Sequence, residues 1–177
     1  MMKHETTIID KAKRGNQTAF RKLYDFHVEP LFRFMRQYST DTHLVEDWVQ
    51  RAFIKAYKNM QSFKGNSKFE TWLFTIALNE MRSDFRKPNI LSFIGDELPD
   101  IHTINEEERF VWDDSMKTLL HELDEEKKSV FLLYEIEGYT HAEIASMLNI
   151  NENASRTILC RAKQWLRTQW EQMEKAV

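Results

Sequence analysis

The chain has 177 residues, 42% hydrophobic and 30% charged, with a formal net charge of −3 and a sequence pI near 6.1. This allows one domain or two small ones with buried cores, but is too acidic to coat nucleic acid by charge alone. There is no apolar run of about 18 residues to span a membrane, no signal-peptide core at the N-terminus, and only Cys160, which excludes an internal disulfide or structural zinc set and leaves a cytoplasmic protein as the expectation.

Gly15, Gly65 and Gly138 separate segments of helical period, while Pro88, Gly95 and Pro99 cluster in one place. No segment has a convincing period of two, so an all-α protein is expected, cut near residues 88–105. A short helix is predicted over Thr6 to Arg14. A longer one from Gln17 to Tyr38 buries Ala19, Phe20, Leu23, Tyr24, Leu31, Phe34 and Met35, with a kink or break near Val28 because Pro30 lies inside it.

The segment from Asp41 to Met60 is the most strongly patterned. Leu44, Val45, Trp48, Val49, Ala52, Phe53, Ala56, Tyr57 and Met60 form one wide apolar face. Asp47, Gln50, Arg51, Ile54 and Lys58 lie away from it, and Ile54 is either a stray exposed residue or part of a docking surface. The loop from Gln61 to Trp72 sets Phe63, Phe69 and Trp72 among Lys64, Asn66, Ser67 and Lys68. Rings and lysines together suit unstacked bases and their phosphates, although Phe69 and Trp72 equally suit a buried loop anchor. In the helix from Phe69 to Lys87, Phe69, Trp72, Leu73, Ile76 and Ala77 take one side. Thr75, Asn79, Arg82 and Arg86 line the other, at steps of four, three and four.

Residues 88–114 are acidic, with eight Asp and Glu against Arg109. Such a tether is repelled by DNA and comfortable in a positively charged protein channel; a plain soluble linker has the same composition. Phe110 to Leu123 is predicted helical. Asp124 then caps a helix through Glu135 that turns Val130, Phe131, Leu133 and Tyr134 inward and ends at Gly138.

Tyr139 to Leu166 has the spacing of a helix-turn-helix. Thr140 and Glu143 make a capping box, Ile144, Ala145 and Leu148 face inward, and Asn149 stands at the corner, where a left-handed residue is needed. Ile150 plugs that corner. The second helix, from Glu152, buries Ile158, Leu159, Ala162, Trp165 and Leu166 and leaves Asn153, Arg156, Thr157, Cys160 and Arg161 outward near its start. A recognition helix presents its first turns to a major groove in this way, while an ordinary helical hairpin has the same spacing. Ser155 stands where a branched apolar residue is normally buried.

These pieces in this order resemble the extracytoplasmic-function group of bacterial RNA polymerase sigma factors. Leu44 to Lys87 is similar to their sigma-2 domain through E-D-x-x-Q-x-x-F at Glu46 to Phe53, F-x-T-W-L at Phe69 to Leu73, and I-A-x-N-x-x-x-x-D-x-R at Ile76 to Arg86. The second half is similar to sigma-4 in LLHELDEEKKSVFLLYEIEGYTHAEIASML and RAKQWL. The resemblance implies a sigma-2-like domain over 1–87, an acidic linker over 88–105 and a sigma-4-like domain over 106–177. It implies that Asp47, Gln50 and Ile54 dock on the β′ clamp helices of core polymerase, with the β flap a second contact. It implies that Phe63, Lys64, Asn66, Lys68, Thr75, Asn79, Arg82 and Arg86 read and open the −10 element, and that Asn153, Arg156, Thr157, Cys160 and Arg161 read the −35 element. The linker is expected to thread toward the RNA exit path, and an anti-sigma protein is an expected partner.

The chain departs from the family's usual Leu-Pro at Leu123-Asp124, its Gly-Thr-Val at Asn153-Ala154-Ser155, and its common Arg at Ile158. Neither a nucleophile-base pair, a phosphate-binding glycine loop nor a metal cluster is present in the sequence, so no catalytic residue, metal or cofactor is expected. Two other readings compete: a stand-alone helix-turn-helix regulator, which leaves the Leu44 to Lys87 pattern unexplained, and a sigma-like polymerase-binding protein with impaired −35 reading.

Overall fold

Side chains that satisfy free backbone donors set where the helices begin. Asn16 Oδ1 accepts from the Ala19 amide at 2.9 Å, and Asp41 Oδ1 accepts from His43 at 3.0 Å and Leu44 at 3.2 Å. Asp124 Oδ1 accepts from Glu126 at 2.9 Å, and Asn151 Oδ1 from Ala154 at 2.7 Å. The structure is a computed structural model and describes residues 4–86 and 114–176. Among these every element is helical: α1 (Glu5–Lys13), α2 (Gln17–Met35), α3 (Thr42–Lys58), a 3-10 turn (Met60–Ser62), α4 (Phe69–Arg86), α5 (Asp114–Glu122), α6 (Glu125–Phe131), a π turn (Leu132–Ile136), α7 (His141–Leu148) and α8 (Glu152–Ala176). The expected linker, 88–105, and the start of the helix expected from Phe110 lie outside the described residues.

The helices form two compact units, α1 to α4 and α5 to α8. In the first, α3 packs along α4 and α2 covers both. Trp48, Leu23, Leu31, Met35, Val45, Leu73, Phe74, Leu78 and Met81 are fully buried there, with Phe34 and Phe74 in ring contact at 4.8 Å. Of the kink or break expected near Val28, no break occurs: α2 runs through Pro30 as one helix. Proline removes one donor, the partner of the Phe26 carbonyl. Phe26 is on the open side of the helix, whereas Leu31, Phe34 and Met35 beyond the proline are buried and keep the chain helical.

Charge also joins α3 to α4. Asp84 accepts from the buried Trp48 Nε1 at 2.9 Å and from both terminal nitrogens of Arg51, one at 3.2 Å. The buried Glu80 carboxylate is paired with Lys55 and lies 3.8 Å from Arg51 Nε. The Asp84 hydrogen bond, opposed by burial and helped by the charges of Asp84, Glu80 and Asp47, raises the Arg51 pKa above its ordinary value. Buried carboxylates are stable only when paired in this way.

In the second unit, α6 and α7 pack on α8, with Val130, Leu132, Leu133, Ile144, Ala162 and Leu166 buried between them. Lys128, 5% exposed, points its ammonium at the His121 carbonyl near the end of α5, and burial pushes its pKa down against the pull of Glu125. The π turn inserts one extra residue, with Glu137 N donating to Leu132 O at 3.1 Å. Leu132 and Leu133 therefore both face inward and Tyr134, expected inside, is 37% exposed.

Candidate nucleic-acid interface

On α3, Asp47, Gln50 and Ile54 are exposed, Ile54 by 46%. Tyr57 and Tyr24, which the apolar spacing placed inside, lie open as well; Tyr57 meets Phe20 at 4.9 Å and Tyr24 meets Phe53 at 4.7 Å. Both rings thus combine an aromatic contact with partial exposure, which suits a tyrosine at the edge of a core. The exposed face of α3 holding Ile54 therefore combines an isoleucine and Tyr57 with the polar Asp47 and Gln50.

After α3 the chain turns through Gly65, whose φ of +75° suits only glycine without strain. Lys64, Asn66, Ser67 and Lys68 are exposed on this loop. Phe63 is 6% exposed, with its ring 5.0 Å from Trp72 and 6.0 Å from Phe69. It supports the loop from beneath, and its burial leaves no open face for a base.

On α4 the open arc includes Asn79 and Arg86, both exposed, with Thr75 and Arg82 half-buried. Thr75 Oγ1 donates to Thr71 O at 2.8 Å and Arg86 Nε to Arg82 O at 3.2 Å. Trp72 and Ile76, expected inward, are half-buried along this same arc, and Phe74, Leu78 and Met81 take the core positions instead. The loop and the arc together present amides, hydroxyls and cations beside the half-buried Trp72 ring, a combination suited to a separated strand.

In the second unit the turn forms as its residues dictate. Thr140 N donates to Glu143 Oε2 at 2.9 Å and Glu143 N to Thr140 Oγ1 at 3.3 Å, while Asn149 adopts φ 56° and ψ 45°. Asn153, Arg156, Thr157, Cys160 and Arg161 are all exposed on the first turns of α8. Arg156 is paired with Glu152, and Thr157 Oγ1 donates to Asn153 O at 2.9 Å.

The inner side of that helix has a polar joint. Ser155 is 0% exposed, and its Oγ lies 2.9 Å from His141 Nδ1 at the start of α7. The His141 ring stacks on Tyr134 of the π turn at 4.5 Å and 23°. Burial, then Arg156 and more weakly Lys163, push the His141 pKa below its ordinary value against Glu152. An open cleft of about 480 Å³ lies here, lined by Tyr134, Gly138, Tyr139, Thr140, His141, Ala142, Glu152 and Arg156. The departure at Ser155 thus replaces an apolar plug with a hydrogen bond, a partner 14 residues away that no local sequence signal announces.

No group of three metal-ligating side chains occurs among the described residues, and no helix among them is long and apolar enough to cross a membrane.

Comparison with known proteins finds a match in each of the two units. The family model for Sigma-70 region 2 matches residues 23–89, and that for Sigma-70, region 4 matches residues 113–166. The chain is 28% identical to the ECF RNA polymerase sigma-E factor of Haemophilus influenzae, covering 92% of this chain and 93% of the relative. It is 27% identical to the ECF RNA polymerase sigma factor SigW of Bacillus subtilis, covering 91% and 94%. Among solved structures, CnrH in complex with the cytosolic domain of CnrY matches with a TM-score of 0.69 at 26% identity, over 93% of this chain and 96% of that one.

Proposed function

The chain belongs to the sigma-70 family, as a sigma factor of the extracytoplasmic-function group that directs transcription initiation, and from that premise we propose how its two units share the work. The first unit, with the residues up to 87, docks on core RNA polymerase through Asp47, Gln50 and Ile54 and reads the −10 element. Asn79, Arg82 and Arg86 face the opening strand, Lys64, Asn66 and Lys68 hold it from the loop, and Phe63 and Thr75 fix the shapes of loop and helix. The second unit, within 106–177, reads the −35 element with Asn153, Arg156, Thr157, Cys160 and Arg161. Residues 88–105 join them.

The single observation carrying this division is the exposure of two separate polar rows, on α4 with its loop and on the first turns of α8, each borne by a helix whose other face is core. A net charge of −3 fits a protein whose promoter affinity comes mostly from the polymerase it joins. The chain itself has no catalytic activity and acts in the cytoplasm. CnrH is held by the cytosolic domain of CnrY, and a protein of that kind, an anti-sigma factor, is the inhibitor we expect for this chain.

The test compares the purified chain alone, core polymerase alone and the two together on promoter DNA. Specific binding and a defined transcript start are expected only from the mixture. Tight operator binding without core would replace this reading with a stand-alone regulator, and core binding with no start on any promoter would leave a polymerase-binding protein that does not read DNA.

A further inference from the structure

α1 lies before residue 23, where the region 2 match begins, yet its C-terminal end reaches the loop assigned above to the −10 strand. Lys13 Nζ stands 5.4 Å from the centre of the Phe63 ring, and α1 packs against the turn Met60–Ser62 that leads into that loop. Lys13 is half-buried, so its methylene stem is already ordered. The helix is fixed at its other end, where Glu5 Oε1 meets the Nε2 of His27, a residue 2% exposed, at 3.1 Å; Ala12, 5% exposed, seats the last turn. Among the described residues Lys13, Lys64 and Lys68 are in no ion pair. A held cation over a buried ring, beside two exposed lysines on the adjoining loop, is the arrangement of a groove that tracks a single-stranded backbone.

We propose that Lys13 of α1 is a further part of the single-strand site: its ammonium takes a backbone phosphate of the separated promoter strand as that strand passes the loop of Lys64 and Lys68. This rests on the −10 reading proposed above. The contact is to a phosphate, so it adds affinity for the opened strand without base preference.

The test uses holoenzyme assembled from core polymerase and the full chain, on a promoter whose −10 segment is held open by mismatches and on the same promoter fully paired. Lys13→Met keeps the stem over Phe63 and removes the charge. It is expected to lower the slope of log K against log salt by about 0.7 on the open template, the value for one phosphate contact on a single strand. Over the decade from 0.1 M to 1 M salt that slope corresponds to about a fivefold weakening at 0.1 M. Preference among −10 bases and affinity for core are expected to stay as they are, and Lys13→Arg to restore the slope. Asn79→Ala gauges the underlying reading, because it is expected to flatten −10 base preference. If Asn79→Ala changes nothing, the −10 assignment fails and the proposal with it. If Asn79→Ala flattens the preference while Lys13→Met leaves the slope unaltered, only the proposal for α1 is overturned. A lysine that serves merely the dipole of its own helix gives that second result, with a lower melting temperature; should Lys13→Met melt low, Lys13→Gln and Lys13→Arg must differ in slope at equal stability or the proposal falls.

Discussion

Asp84→Ala is the sharpest probe of what holds α4, and hence the proposed −10 row, in register with α3. The change strands the Trp48 Nε1–H, a donor on a side chain that is 0% exposed and now bonded at 2.9 Å. A buried donor left without a partner costs about 1–3 kcal/mol. Arg51 loses its paired carboxylate, but its side chain is 34% exposed, so water replaces most of that interaction and about 1 kcal/mol is the upper limit. The expected total is about 1–4 kcal/mol. Asp84→Asn keeps an acceptor for the indole and loses only the charge, so it should cost about 1 kcal/mol or less. Trp48→Phe removes the donor, and a double-mutant cycle with Asp84→Ala should show a coupling of about 1–2 kcal/mol. Hydrogen exchange followed by mass spectrometry on the full chain reads α3 and α4 peptides separately from those of α6 to α8, which should not change. If Asp84→Ala and Asp84→Asn cost the same, or if neither exceeds about 0.5 kcal/mol, the seam is held by apolar packing alone and the reasoning is refuted.

Ser155→Ala should cost the second unit about 0.5–1.5 kcal/mol, the usual worth of one hydrogen bond, seen as faster exchange in α7 and α8, and should weaken −35 discrimination while −10 preference persists. His141, held below its unfolded value of about 6.5, binds protons more readily when unfolded. Its contribution to stability is therefore full above about pH 6.5 and is lost as pH falls through that value toward the folded one, so melting of the second unit at pH 7.5 and 5.5 should differ less in His141→Gln than in the parent. Arg156→Ala should cost about 1–3 kcal/mol at one −35 base step; an equal loss on every sequence would make Arg156 a phosphate contact. Asp47→Ala with Gln50→Ala should weaken core association about tenfold, or 1.4 kcal/mol, in competition against the parent chain, and an unchanged affinity would remove both residues from the docking face.

Local chemistry was the legible part of this fold. The Thr140 and Glu143 box, the Asn149 corner and the Asp124 cap form as read because each depends on residues within four of one another. The outward row on α8 followed from periodicity once its start was placed. Pro30 does not end its helix because burial beyond it outweighs one lost hydrogen bond. Tyr24, Tyr57 and Tyr134 misled because a tyrosine at the edge of an apolar face keeps its polar end in water, and Tyr134 also because the π turn moves Leu132 into the core. The register of α4 was half right: Asn79 and Arg86 are open as expected, but Trp72 and Ile76 share their side. The pairs that brace the site, Arg51 with Asp84 and His141 with Ser155, join residues 33 and 14 positions apart, beyond the reach of any local pattern.

One chain is proposed to read two promoter elements at once while bound to core polymerase. The most direct test is selection of bound sequences from a randomised DNA pool by the assembled holoenzyme. Two enriched blocks at a fixed separation are predicted, the upstream block losing its preference at one base step with Arg156→Ala and the downstream one flattening with Asn79→Ala. A single block, or the same enrichment by the chain without polymerase, would contradict the account.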